Sequence, residues 1–465
     1  MTRADVVIVG GGSAGSVIAG RLSERPDRQV LVLEAGPATW DARLDNRSFF
    51  DALSLPGRVW PAVTASRAAG AAPSLYVRGR GIGGSSSVNA MVGLPPSMAD
   101  LDRWAAAGGW GRELAGVETW LPLAPPGDDE IGPLAKAILG ADADAIRAPL
   151  TRFPDRRRGG SYAAYLEPVL DRANLAVMGD ALVDRVVLDG DRAVGVVLAG
   201  GREIEAGAVI VSAGAIHSPA VLLRSGIATP GIGEGLQDHP SSPIEVLVAG
   251  EWSGCLPISV IVVFRCGDDV LQLLPLEGLG GGAGRLMAAV MTVRSTGAVR
   301  LVSDDPAVDP EVHFDMLSDS RDQYLMDVAL DRAEAVLAAP GVREMVEVTR
   351  LDRSAASVRA GLGDYVHAAG SCAMGRVVDQ RCAVVGYESL FVCDTSVMPC
   401  VPSVNTYLPV VMLAERFAAG WLAPASPRSS SPRPSSPSPS SSRPSSSGPS
   451  SSGPSLSRPS SSASC

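Results

Sequence analysis

Two kinds of residue in this chain carry chemistry by their type and spacing. The first are glycines: Gly10, Gly12 and Gly15 stand in G-x-G-x-x-G spacing around Ser13 and Ala14, and Glu34 follows about 20 residues after the turn. Gly10 permits a tight turn, Gly12 lets a pyrophosphate come against the backbone, and Gly15 lets a helix pack on a sheet. A carboxylate at Glu34 can accept from ribose hydroxyls. This spacing predicts a bound dinucleotide, and NAD and FAD satisfy it equally. The second are the four histidines, His217, His239, His313 and His367. Imidazole exchanges protons near neutrality, so these are the residues to fill an acid or base role beside a redox cofactor.

Such groups need elements to hold them. The apolar, β-branched run from Asp5 to Val9 predicts a buried parallel strand, followed by a helix whose N-terminus faces the phosphates. A second strand, Val30 to Leu33, delivers Glu34. Further on, Arg78-Gly-Arg80-Gly-Ile-Gly83-Gly84-Ser-Ser-Ser-Val88-Asn89-Ala90-Met91-Val92-Gly93 is so dense in small residues that its backbone must approach something flat or charged. Strands are expected over 183–188, 193–198, 208–213, 258–264 and 287–293, and a packed helix over 324–337. The stretch between residues 36 and 77 has little periodicity and reads as loops. Arg152, Arg156, Arg157 and Arg158 read as a solvated basic surface.

The chain of 465 residues is long enough for two sizeable cores. A formal charge of −10 with no basic stripe argues against a nucleic-acid partner. Seven cysteines without a C-x-x-C pair suggest neither a zinc site nor a disulfide framework, and no metal is expected. The first strand starts too early for a signal peptide ahead of it, and no apolar run reaches the roughly 20 residues of a membrane span. The expected location is cytoplasmic, with peripheral membrane association left open. From 424 to 465 the composition turns to Ser, Pro and Arg, which predicts a disordered tail.

The first glycine stretch and the loop from Gly79 to Asn89 resemble the flavin fingerprint and first signature of the glucose-methanol-choline (GMC) oxidoreductases. Gly214-Ala-Ile-His217-Ser218-Pro219 through Ile227 resembles the second signature. Leu236-Gln-Asp238-His239-Pro240, Asp304-Asp-Pro306-Ala-Val-Asp-Pro310, His367-Ala-Ala-Gly370-Ser-Cys-Ala-Met374-Gly375, Val377-Val-Asp379 and Val392-Cys-Asp394-Thr-Ser396-Val-Met-Pro399 follow in the family's order. Gly93, Ala228, Gly235 and Ala373 depart from its usual residues without removing a reactive group. The resemblance selects FAD over NAD. Val88 stands where some members carry a flavin-linked His, so the FAD is expected to be noncovalent. The chain is shorter than is usual in the family between Trp104 and Gly160 and between Pro240 and Arg294. That implies a more open entrance and resembles the actinobacterial subgroup associated with mycofactocin, a peptide-derived redox cofactor.

The resemblance implies an α/β fold: a Rossmann-like FAD-binding lobe (1–100, 178–240, 362–423) interleaved with an α+β substrate lobe on an antiparallel sheet (101–177, 241–361). It implies oxidation of an alcohol to an aldehyde or ketone by hydride transfer to flavin. His367 matches the catalytic base and Asn405 the second active-site position, while His217 and His239 fit structural or cofactor-edge roles. Gly10, Gly12, Ser13, Ala14 and Gly15 would meet the pyrophosphate, Glu34 the ribose, and Val183 the adenine. Arg80, Gly83, Ser86, Asn89, Ala90, Met91 and Val92 would run along the dinucleotide to the flavin ring, which Thr406 would approach. Asp394 would receive ribityl or phosphate-side donors or act as a turn acid, and Asn405 could also cap the helix from Leu408. The electron acceptor is left open between a quinone or other respiratory component and oxygen, and one version of the reaction reoxidises reduced mycofactocin as the donor and passes its electrons toward respiration. A dehydrogenase is favoured over an oxidase, and a non-catalytic flavin-binding scaffold is the reading from another class.

Overall fold

A computed structural model describes residues 3–46, 48–250 and 252–423; the tail expected to be disordered lies outside the described residues. Its first sheet runs in the order Leu175–Met178, Val30–Leu33, Arg3–Val9, Glu203–Val211, Arg192–Leu198, Val183–Asp189, with Leu390–Val392 also on Glu203–Val211. Arg3–Val9 pairs in parallel with both neighbours, Val6 opposite Val30 on one side and Ala208 on the other. The Val, Ile and Leu of these central strands are buried on both faces, as a parallel sheet demands. Helices Ser13–Leu22 and Tyr407–Leu422 supply buried residues to the same core. This is the expected Rossmann-like lobe.

The second sheet has six strands, in the order Val346–Arg350, Ser241–Val248, Ala283–Val290, Asp269–Leu276, Val260–Cys266, Ala145–Arg147, all antiparallel. Helix Ser320–Ala338 supplies Leu325, Met326, Ala329, Leu330, Ala333, Val336 and Leu337 to the buried core, a 3–4 spacing that makes one apolar stripe. Its start is set by Asp319, whose side chain accepts from the Arg321 amide. The expected helix and strands are present with ends shifted by several residues.

A third sheet of five strands joins Glu234–Leu236, Gly297–Arg300, Glu311–His313, Thr64–Ser66 and Ser74–Leu75. Two of these strands lie in the stretch read as loops, because strands of two and three residues carry no measurable period. Leu175–Met178, ahead of the boundary expected at 178, is an edge strand of the first sheet. The arginine cluster is also not uniformly solvated. Arg152 is buried against Glu130 at 2.8 Å, and Arg158 is buried with its guanidinium donating to the Leu44 and Asn89 carbonyls.

Glu277 shows how a buried carboxyl is held. It sits at the start of helix Pro133–Ala141 and accepts from the Leu134 and Ala135 amides at 2.8 and 3.3 Å. Burial pushes its pKa up to about 7 from 4.5. The folded chain therefore holds a proton there that the unfolded chain releases, and stability from this group falls as pH rises between about 4.5 and 7. Glu277→Gln should remove that slope, which is at most about 1.4 kcal/mol per pH unit, when denaturant unfolding is compared with wild type across this window.

Candidate active site

The C-terminal ends of the parallel strands converge on a cleft of about 470 Å³, where Gly10, Glu34, Ser212 and Asp394 all line the wall. Two glycine loops meet there backbone to backbone. Gly10 has φ +101°, and a Cβ on it would lie 2.6 Å from the Ser212 carbonyl oxygen. A Cβ on Gly84 would lie 2.7 Å from the Gly12 Cα, and the Gly83 amide donates to the Gly11 carbonyl at 2.8 Å. Gly12 caps helix Ser13–Leu22 without a side chain, which leaves the first-turn amides directed at the cleft. The cradle is shaped for an anionic group pressed against bare backbone, so these residues fit a dinucleotide.

Of the residues expected at the cofactor, Gly10, Gly12, Ser13, Ala14, Glu34, Ser86, Asn89, Ala90, Met91, Val92, Val183, Asp394 and Thr406 line this one cleft. Gly15, Gly83 and Arg80 stand behind its wall. Gly15 lets the helix lie against Gly10, whose carbonyl oxygen would be 1.9 Å from an added Cβ. The Arg80 guanidinium donates to the Ala35 carbonyl at 2.7 Å and lies over Trp60. Glu34 already accepts from the Gly11, Gly36 and Gly81 amides at 2.8, 2.9 and 2.9 Å, so it fastens three loops besides any ribose contact. Asp394 accepts from the Gly214 and Ser396 amides and the Ser218 hydroxyl, the behaviour of a turn acid.

At the far end of the cleft stand His367 and Asn405, with Asn405 Nδ2 at 3.4 Å from His367 Nε2. The helix after Asn405 begins at Tyr407, so Thr406 precedes it directly and the Asn405 side chain turns to His367. On its other nitrogen, His367 Nδ1 is 3.0 Å from His239 Nδ1, and His239 Nε2 is 2.9 Å from the Pro402 carbonyl oxygen. His239, expected in a structural or cofactor-edge role, is thus in direct contact with the candidate base. Burial, His239 and Arg78 hold the His367 pKa well below the imidazole range, and burial lowers His239 to about 4. Both rings are neutral at pH 7.

The backbone here is fixed by groups to which motif reading gave no role. Asp238 accepts from the His239 amide at 2.7 Å and from Tyr76 Oη at 2.6 Å, and Tyr76 Oη accepts from the Ala368 amide at 3.0 Å. Val366, a β-branched residue with φ +56°, precedes His367; its carbonyl is held by Arg78 at 2.7 Å. That conformation is costly for valine and marks a backbone over-determined by its surroundings. Asp238, His239 and His367 have ligand atoms within 4.8 Å of one another, but these side chains are already engaged in the bonds above, so the group works as a hydrogen-bonded cluster. The remaining histidines lie outside this cluster: His217 lines the cleft, stacked on Trp60 and paired with Asp309 at 3.1 Å, and His313 is on the third sheet.

Family models for the N- and C-terminal parts of the GMC oxidoreductases match residues 4–122 with 148–241 and residues 293–414. This chain belongs to the GMC oxidoreductase family. GMC oxidoreductases bind FAD, and the cradle described above fits it. The chain is 31% identical to an uncharacterised GMC-type oxidoreductase of Rhodococcus erythropolis, over 90% of this chain and 98% of that protein. It is 31% identical to the 5-(hydroxymethyl)furfural oxidase of Methylovorus sp. (strain MP688), over 90% and 99%. Mouse mitochondrial choline dehydrogenase is 30% identical over 89% of this chain and 88% of its own. Among solved structures, pyridoxine 4-oxidase from Mesorbium loti superposes with a TM-score of 0.81 at 26% identity, covering 90% of this chain and 99% of that one. Gly84→Ala, which drives a Cβ into Gly12, should yield this GMC protein without its yellow colour. Gly140→Ala, with nothing within 4 Å of the added carbon, should stay yellow and gain up to about 1 kcal/mol of stability. Absorbance at the flavin band and thermal unfolding check both.

Proposed function

We propose that this protein oxidises an uncharged primary or secondary alcohol to an aldehyde or ketone, with His367 as the base that takes the hydroxyl proton. The observation that carries this reading is the Nε2 edge of a neutral His367, next to Asn405, at the end of the dinucleotide cleft. FAD, when bound, supplies the acceptor for the hydride leaving the carbinol carbon. His367 Nε2 would receive the hydroxyl proton, and its low proton affinity keeps it free to do so at neutral pH. The Asn405 amide would donate to the substrate oxygen and orient it.

The walls speak for a neutral substrate. Ile258, Leu274, Leu276, Met287 and Tyr365 line the cleft, and the charged wall groups are already engaged: Asp364 with Arg67, Arg224 with Asp184, Arg78 with the Val366 carbonyl. The FAD is read as noncovalent because Val88, on the wall, carries no nucleophile. The relatives include both oxidases and dehydrogenases. We favour a dehydrogenase that passes electrons to a quinone or another respiratory carrier. A reduced mycofactocin as donor is supported by shortness: the alignments to relatives span 495 and 538 positions, against a compact unit ending at Leu422.

His367→Ala should retain FAD and lose at least about 100-fold in the rate of anaerobic flavin reduction by the best alcohol of a panel of simple alcohols, sugars, choline and reduced mycofactocin. Reduction at the wild-type rate would overturn the assignment. Rapid recovery of colour in air would instead mark an oxidase.

A further inference from the structure

We infer that His239 is a positioning residue for this reaction: its imidazole dictates which nitrogen of His367 is bare, and so makes His367 a base at the edge facing Asn405. The inference rests on the alcohol-oxidation reading and deepens it.

The argument is a count of hydrogens along one line. A carbonyl oxygen only accepts, so the 2.9 Å contact between the Pro402 carbonyl and His239 Nε2 requires a hydrogen on Nε2. A neutral His239 then has a bare Nδ1. Across the 3.0 Å gap, His367 must place its own hydrogen on Nδ1 to fill that lone pair. A neutral His367 with Nδ1–H has a bare Nε2, the atom that Asn405 Nδ2 approaches at 3.4 Å. The opposite order, with hydrogen on His367 Nε2 and none on Nδ1, needs a doubly protonated His239, and burial opposes that charge.

The starting acceptor is itself clamped. The amide before Pro402, on Val401, donates to Gln237 Oε1 at 3.0 Å, and the amide after it, on Ser403, donates to Asp100 at 2.8 Å. Asp238 fixes the His239 amide at 2.7 Å, and Tyr365 packs edge-on against both rings at 6.1 and 5.7 Å between centroids. When the hydroxyl proton arrives at His367 Nε2, with bound FAD there to supply the hydride acceptor, the ring would carry one positive charge. Its Nδ1–H bond to His239 Nδ1 is then charge-assisted and stronger. A neutral imidazole orients without the strong pull of a carboxylate, so His367 is held in the right tautomer and still gives its proton up easily.

Two measurements on the FAD-loaded protein test this. The chain has four histidines, so an imidazole ¹⁵N spectrum is assignable with His217→Asn, His313→Gln and His239→Asn variants, the last separating His239 from His367. The expected result is His367 protonated at Nδ1 and His239 at Nε2; His367 protonated at Nε2 would overturn the inference without any change to the dyad. In rapid-mixing experiments His239→Leu should slow flavin reduction about 100-fold, with FAD content and alcohol affinity little changed. His239→Asn returns an acceptor oxygen near the former Nδ1 and should recover most of the rate. A Leu variant as fast as wild type, or an Asn variant no better than Leu, would sink the inference. If His367→Ala is inactive while His239→Leu is fully active, only the role of His239 falls; if His367→Ala is active, the base assignment falls first.

Discussion

Glycine-rich loops cannot be fixed by packing side chains, and in this protein buried carboxylates fasten them instead. Glu34 gathers the Gly11, Gly36 and Gly81 amides; Asp394 gathers the Gly214 and Ser396 amides and the Ser218 hydroxyl. Asp100 ties Ser97 to Ser403, and Asp238 ties His239 to Tyr76. Each carboxylate loses hydration when it is buried and recovers it as amide and hydroxyl donors, which is the condition for keeping such a group inside. The loops can then stay bare where the dinucleotide must lie against backbone, and still be rigid. Remove the carboxylates and the His239 amide loses its partner, while the Gly12 to Gly84 contact is left to backbone bonds such as that from Gly83 to Gly11.

The same economy sets the chemistry. With the wall charges each engaged by a partner, little free charge faces the end of the cleft, and burial keeps His239 and His367 neutral. A neutral imidazole is a competent proton acceptor only if the correct nitrogen is bare. The line from the Pro402 carbonyl through His239 to His367 supplies that condition with hydrogen bonds alone. The strained backbone of Val366, gripped by Arg78, keeps the ring from drifting off this line.

Much of this was legible in the residues. Gly10 and Gly15 make the tight turn and the close helix packing that their spacing implies, and Gly12 lines the cleft, because a missing Cβ is a local requirement that spacing records. His367 and Asn405 come together because the motifs that carry them are tied to the cleft. What spacing does not record is partnership across the chain. Glu34 reads as a ribose acceptor, yet two of the three amides that it holds, Gly11 and Gly81, come from loops whose proximity only the fold creates. His239 reads as structural because nothing in 128 residues of separation from His367 says that their Nδ1 atoms meet. Arg158 reads as surface from its charged neighbours, and its burial depends on Asn89 and Leu44 arriving from elsewhere. The short strand Thr64–Ser66 exists as an addition to Glu311–His313, and Ser74–Leu75 as an addition to Thr64–Ser66, so no local period betrays them.

The claim on which the rest stands is that a neutral, buried imidazole takes the proton. The measurement that tests it most directly is the rate constant of anaerobic flavin reduction by a saturating alcohol, followed from pH 9 down to pH 5. With the His367 proton affinity held well below its ordinary value of 6.5, the rate should stay flat through neutrality and begin to fall only in the acid range. A rate that instead climbs steadily from pH 7 to pH 9 would mean that a group of much higher proton affinity takes the proton, and would contradict this account.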